Sequence, residues 1–161
     1  MAKKALNKTG VLSVVFCFVA IASALQAAVL IPAGAIWRYN DKGVDLGKEW
    51  LAPDYDDSDW SEGAAQLGYG DNDEVTVISP GPEGGNRYPT YYFRYSFNLG
   101  NPSMFTILRL RVLRDDGCIV YINGTEVVRS NMPAGEVTYQ TLASSTVGGE
   151  AEDEWHEFAI E

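Results

Sequence analysis

One histidine, His156, stands between Trp155 and Glu157 near the end of the 161-residue chain. Hydrolysis by a nucleophile and a base would rest on it alone, with no Gly-x-Ser-x-Gly elbow anywhere. A two-metal phosphoesterase needs several histidine and aspartate ligands. His156 is therefore read as a solvated strand residue, and the chain as no enzyme. Carboxylates are plentiful, 22 in all. Glycoside hydrolysis uses a pair of them, but 13 of them cluster in turns, at 54–59, 71–74, 115–116 and 150–154. In turns, such side chains are solvated and bond nearby backbone N–H groups.

Two kinds of binding chemistry fit better than catalysis. Ca²⁺ takes about six to eight oxygen ligands from carboxylates and loop carbonyls. Asp71, Asp73 and Glu74, in one acidic tip, are candidate ligands for a structural Ca²⁺; the tip lacks the spacing and terminal Glu of an EF-hand loop. No other cofactor is expected. For carbohydrate, aromatic faces stack on sugar C–H surfaces while polar groups fix the hydroxyls. Tyr92, Arg94, Arg109, Arg111 and Tyr121 could share the polar side of neighbouring strands and form such a site. In the rival reading, the arginines pair with nearby acids on a solvated sheet face. Trp37, Trp50, Trp60 and Trp155 are read as core, because two of them bracket the acidic loop Asp54 to Asp59.

The elements that must position these groups are strands. Thr90 to Leu99 alternates, with Tyr91, Phe93, Tyr95 and Phe97 on one face and Tyr92, Arg94, Ser96 and Asn98 on the other. That period of two marks a half-buried strand. Phe105 to Leu113 alternates apolar with Arg109 and Arg111. Cys118 to Val128 carries an Asn123-Gly124 dipeptide between two β-rich runs. Asn-Gly accepts positive φ at both central positions, which suits a type I′ hairpin. Ala64 to Tyr69, Val75 to Ile78, Thr138 to Leu142 and Trp155 to Ile160 read as further short strands. No segment shows an apolar helix stripe. Short strands at roughly ten-residue spacing with Gly/Pro turns predict an all-β sandwich or barrel.

The first 28 residues read as a signal peptide. Lys3, Lys4 and Lys8 precede an apolar run, Val11 to Ala24, and small residues then allow cleavage near Ala24 to Ala28. The expected address is secreted, periplasmic or cell-surface, with no membrane attachment after cleavage. The rival is an uncleaved anchor extending to Ile31, which Gln26 and the alanine cluster weaken. Residues 29–161 form one domain. Cys118 is then the single mature cysteine, excluding an internal disulfide and a cysteine zinc site; it reads as a small core residue. The mature part keeps 9 basic against 22 acidic side chains, a net charge of −13. That surface repels phosphate backbones and anionic lipid, so no nucleic acid is expected as partner.

Several phrases resemble a known family. Trp50…Asp56-Asp57-Ser58-Asp59-Trp60 resembles a signature near the start of galactose-binding-like jelly rolls, including the sugar-binding domains of β-glycosidases. Ala65-Gln66-Leu67-Gly68-Tyr69-Gly70-Asp71 and Tyr92-Phe93-Arg94 resemble the next phrases of a related bacterial group. Asp115-Asp116-Gly117 with Val120-Tyr121-Ile122-Asn123-Gly124-Thr125-Glu126-Val127 resembles its central hairpin. The resemblance covers about residues 35 to 161. It implies an antiparallel jelly-roll β-sandwich. It also implies an accessory module beside a secreted metallophosphoesterase-type or other catalytic domain, or within a surface protein, with polysaccharide as a candidate ligand. Such jelly rolls close with one more strand. Here the chain stops at Phe158-Ala159-Ile160-Glu161, so the expectation is a module truncated at its C-terminus.

Overall fold

The computed structural model describes residues 28–82 and 85–160. The expected signal peptide lies outside the described residues, save Ala28. Among the described residues there is no α-helix, and no helix is long and apolar enough to cross a membrane. The fold is all-β, with three short 3-10 turns at Glu49–Leu51, Pro102–Met104 and Gly149–Ala151.

Strands β1 (Ile36–Asn40), β2 (Ser61–Ala64) and β5 (Tyr92–Arg94) form an antiparallel sheet in the order β2-β1-β5. Strands β3 (Leu67–Gly68) and β4 (Thr76–Val77) make a short parallel pair. Strands β6 (Leu108–Val112) and β9 (His156–Ile160) pair antiparallel, as do β7 (Cys118–Ile122) and β8 (Thr125–Ser130).

The β7–β8 hairpin turns as its sequence demands. Asn123 and Gly124 have φ of 48° and 80°, the double positive pair of a type I′ turn. A bulge at Val120/Tyr121 then shifts the register, so Tyr121 faces Glu126. Such a bulge bends the strand and re-aims its side chains.

The expected strand over 90–99 keeps its ladder only from Tyr92 to Arg94. Its inner row is the one with the arginine: Tyr92 is 6% exposed, whereas Phe93 is 36% exposed. The reason is long-range. The acidic loop bracketed by Trp50 and Trp60 lies over that row, with Trp50 and Trp60 ring centroids 5.0 and 6.4 Å from Tyr92. Trp50 also meets Tyr121 edge-on at 5.9 Å, so the hairpin and the first sheet share one aromatic core. Edge-to-face contacts of this kind favour the ring quadrupoles and add to the burial itself.

Two other expectations change. Thr138 to Leu142 forms a turn, with Thr141 N–H donating to the Thr138 carbonyl at 3.0 Å. The Thr141 hydroxyl in turn accepts from Thr138 N–H at 2.8 Å. Threonine side chains here compete for backbone groups that a strand would need. His156 stands opposite Val112, in the half-buried row that includes Phe158 and Leu110, and not on the solvated row. Its Nε2 is buried without a hydrogen-bond partner.

Candidate functional site

The register of the first sheet creates an electrostatic problem. Arg38 of β1 lies directly opposite Arg94 of β5 and, on its other side, opposite Glu62 of β2. Like charges facing each other across a ladder are destabilising. Asp57, carried in by the loop between Trp50 and Trp60, resolves the conflict. Its Oδ2 accepts from Arg94 Nε at 2.8 Å, and its Oδ1 is 3.5 Å from Arg38 Nε. Arg38 Nη2 reaches Glu62 Oε1 at 2.8 Å, and Arg38 Nη1 donates to the Asp57 carbonyl at 2.8 Å. Arg94 spends its other nitrogens on the carbonyls of Trp50 and, at 3.2 Å, Ala52.

The arginines therefore hold the acidic loop. The loop also helps itself: the Asp56 carboxylate accepts from Ser58 N–H at 3.0 Å, and the Ser58 hydroxyl and N–H together hold its pKa below the usual value. Tyr55 packs on Trp60 with centroids 5.9 Å apart, and the Arg94 guanidinium lies 5.3 Å from the Tyr55 ring centroid.

Beside this quartet opens a groove of about 260 Å³, lined by Ile36, Trp37, Arg38, Asp57, Glu62, Arg94, Tyr95 and Ser96. Trp37 and Tyr95 stand as a pair with ring centroids 5.2 Å apart, tilted at 50°. Both are half-buried, and Ile36 is 64% exposed. Glu62 keeps more than half its side chain in solvent. By strand alternation the Trp37 and Tyr95 rings lie on the face opposite Arg38, Glu62 and Arg94, so the groove offers the arginine cluster, Ile36 and a solvent-facing carboxylate. That combination can take a small hydroxyl-rich ligand, with Glu62 accepting from its hydroxyls.

The five residues expected to bind ligand do not form one site. Arg94 lines the groove, but its donors point into the loop. Tyr92 and Tyr121 belong to the core around Trp50, and burial raises both phenol pKa values. Arg109 and Arg111 stand on β6 in another sheet: Arg109 Nη1 pairs with Glu157 at 2.9 Å, and the Arg111 guanidinium lies 4.8 Å from the Trp155 ring centroid. Trp155, expected in the core, is 47% exposed. The groove residues Trp37, Arg38, Asp57, Glu62 and Tyr95 were not among those expected. The available signal was Asp57 itself, the carboxylate inside the bracketed loop.

Asp71, Asp73 and Glu74 do converge, with carboxylate oxygens within 4.8 Å of one another. The set of hard oxygen donors fits Ca²⁺, but two of the three are engaged already. Glu74 Oε1 accepts from Asp71 N–H at 3.0 Å, and Asp73 Oδ2 accepts from Gln66 Nε2 at 3.2 Å. The bond from Asp71 N–H lowers the Glu74 pKa, as expected of an acidic turn that caps itself. Cys118 is half-buried, and burial raises its thiol pKa.

No protein family, curated protein or solved structure matches the chain.

Proposed function

We propose that this chain is an exported, non-catalytic binding module of the galactose-binding-like jelly-roll type. It serves a neighbouring catalytic or cell-surface domain by holding polysaccharide. The observation that carries the reading is the open groove beside the Arg38–Asp57–Arg94 cluster, with the Glu62 carboxylate facing solvent at its edge. An open groove of this size takes one sugar unit of a chain and leaves the rest outside. Affinity per module is then weak and gains strength when several modules act on one polymer. The non-catalytic part of the reading is supported by the placement of His156. It faces Val112 with its Nε2 enclosed, away from the groove residues in sequence and in sheet.

The second reading is a structural spacer without ligand. It is favoured by a specific observation: Arg38 and Arg94 direct their donors into the molecule, as a purely structural latch would. Binding of the purified chain to neutral polysaccharides separates the two. Glu62→Gln should weaken binding about fivefold or more, with far-UV dichroism unchanged. A chain that binds none of a broad panel of polymers is a spacer.

A further inference from the structure

The tip of the β7–β8 hairpin holds the chain's one Asn-Gly dipeptide, Asn123-Gly124. Both residues are exposed, and the Gly124 N–H makes no backbone hydrogen bond among the described residues. Asparagine is a thermolabile residue. Before glycine it is most open to attack, because the next amide nitrogen approaches the side-chain carbonyl carbon with no Cβ in its way.

The reaction needs water and nothing else. The Gly124 nitrogen gives its proton to solvent base and bonds to Asn123 Cγ. The Cγ–Nδ2 bond breaks, and that nitrogen leaves as ammonia with a proton from water. Water then opens the five-membered imide. Cleavage at Cγ gives aspartate. Cleavage at the Asn123 main-chain carbonyl gives isoaspartate, whose backbone runs through Cβ and Cγ.

The turn resists the first of these steps. A type I′ turn, the mirror of type I, holds its first central residue at ψ of about 30°. There Cβ and the following nitrogen stand nearly trans about the Cα–C bond, whereas the imide ring needs them cis. Asn123, at φ 48°, is that central residue. Ring closure therefore waits for the tip to open. Two contacts oppose opening. Val120 pairs with Val128, which is 6% exposed. The Leu51 carbonyl oxygen lies 3.3 Å from where a Cβ on Gly124 would stand.

We infer that Asn123 is a modification site gated by opening of this hairpin, with water as its co-reactant. The two products differ in what they do to the fold. Aspartate before glycine accepts the same turn, so that hairpin closes again. Isoaspartate adds one backbone atom, and a two-residue loop sets the register by its length. Ile122 then no longer closes on Thr125 with Tyr121 opposite Glu126. Tyr121 leaves the Trp50 ring that it meets at 5.9 Å. One product is silent and the other releases the hairpin from the aromatic core. Asp116-Gly117 is the chain's one Asp-Gly pair, but Asp116 Oδ1 is held by Val147 N–H at 2.6 Å. The site is independent of the groove and of any ligand there.

The test is peptide mapping by mass spectrometry of the purified full chain, held at mildly alkaline pH both folded and in urea. Enzymatic methylation counts the isoaspartate. In the folded chain Asn123 should convert before any other asparagine, at least about tenfold more slowly than in urea. Val128→Ala, which loosens the hairpin, should speed conversion about threefold or more. The separated isoaspartate form should lose amide-exchange protection in β7 and β8, while Asn123→Asp should keep it. Equal rates in the folded and urea-unfolded chain overturn the gating, as does a rate that Val128→Ala leaves unmoved. A folded chain that converts elsewhere first, or never at Asn123, overturns the site. Full protection in the isoaspartate form overturns its effect on the fold.

Discussion

Arg38 and Arg94 face each other across the β1–β5 ladder, and their shared counterion, Asp57, comes from a loop 19 residues from one and 37 from the other. Two like charges in register are tolerable only while that loop is docked. The loop, in turn, has three of its anchors in the Arg94 guanidinium. Sheet and loop therefore form one cooperative unit, joined through a pair whose side chains are 13% and 21% exposed.

Removing either partner should expose this coupling. Arg94→Ala leaves Asp57 short of a donor and frees the carbonyls of Trp50 and Ala52. It should cost about 2–3 kcal/mol, below the full range for a buried pair because Asp57 keeps Arg38 and some solvent. Arg94→Lys should recover little, since one ammonium cannot serve three acceptors in fixed directions. Asp57→Asn should cost less in an Arg38→Ala background than in the native chain, because one of the two facing charges is already gone. Urea unfolding of the five variants, Arg38→Ala and the double variant included, checks this; additive costs would mean the two arginines do not share Asp57.

The Asp-Asp-Gly turn before β7 has a packing reason for its glycine. A Cβ on Gly117 would sit 2.8 Å from the Asn131 carbonyl oxygen, 2.8 Å from Met132 Sδ and 3.1 Å from the Ser130 carbonyl oxygen. Two of those atoms are backbone and cannot step aside. Gly117→Ala should therefore cost about 1–3 kcal/mol by overpacking. Hydrogen exchange should show the loss first in β7, β8 and the 130–132 segment. A neutral outcome in thermal unfolding would mean that the turn and the end of β8 are not in contact.

Local chemistry explains which features were legible. Asn123-Gly124 needs only its own dihedrals to turn, so the hairpin and its register end were readable from two residues. The bracketed loop was readable as a turn because Asp56 and Ser58 bond within it. The inward face of β5 was not readable. Its two rows, Tyr91 with Phe93 and Tyr92 with Arg94, both carry an aromatic ring. The choice is made by a loop some forty residues away. The groove was hidden for the same reason. Glu62, Arg38 and Arg94 meet only through strand register, and a composition of scattered charges does not state a register. The β6–β9 face was half legible: alternation placed the arginines outward, but not the partner each would choose.

The acidic turns that carry Asp71, Asp115 and Glu152 push against one another. Burial raises the Asp115 pKa above its ordinary value of 3.8, and the charges of Asp116 and Asp71 add to the effect. Burial likewise raises the Glu152 pKa, reinforced by Asp115 and Asp71. A carboxyl whose folded pKa is raised binds its proton more tightly in the folded state. Its contribution thus favours folding at low pH and is lost as pH climbs from the ordinary value through the raised one. Asp115→Asn removes that penalty and should raise the melting temperature relative to the native chain at pH 7. The advantage should vanish below pH 3.8, where the native carboxyl is protonated in both states. Added salt should shrink it too, since the repulsion is partly exposed. An advantage unchanged between pH 3 and pH 7 would trace the effect to packing of the amide and not to charge.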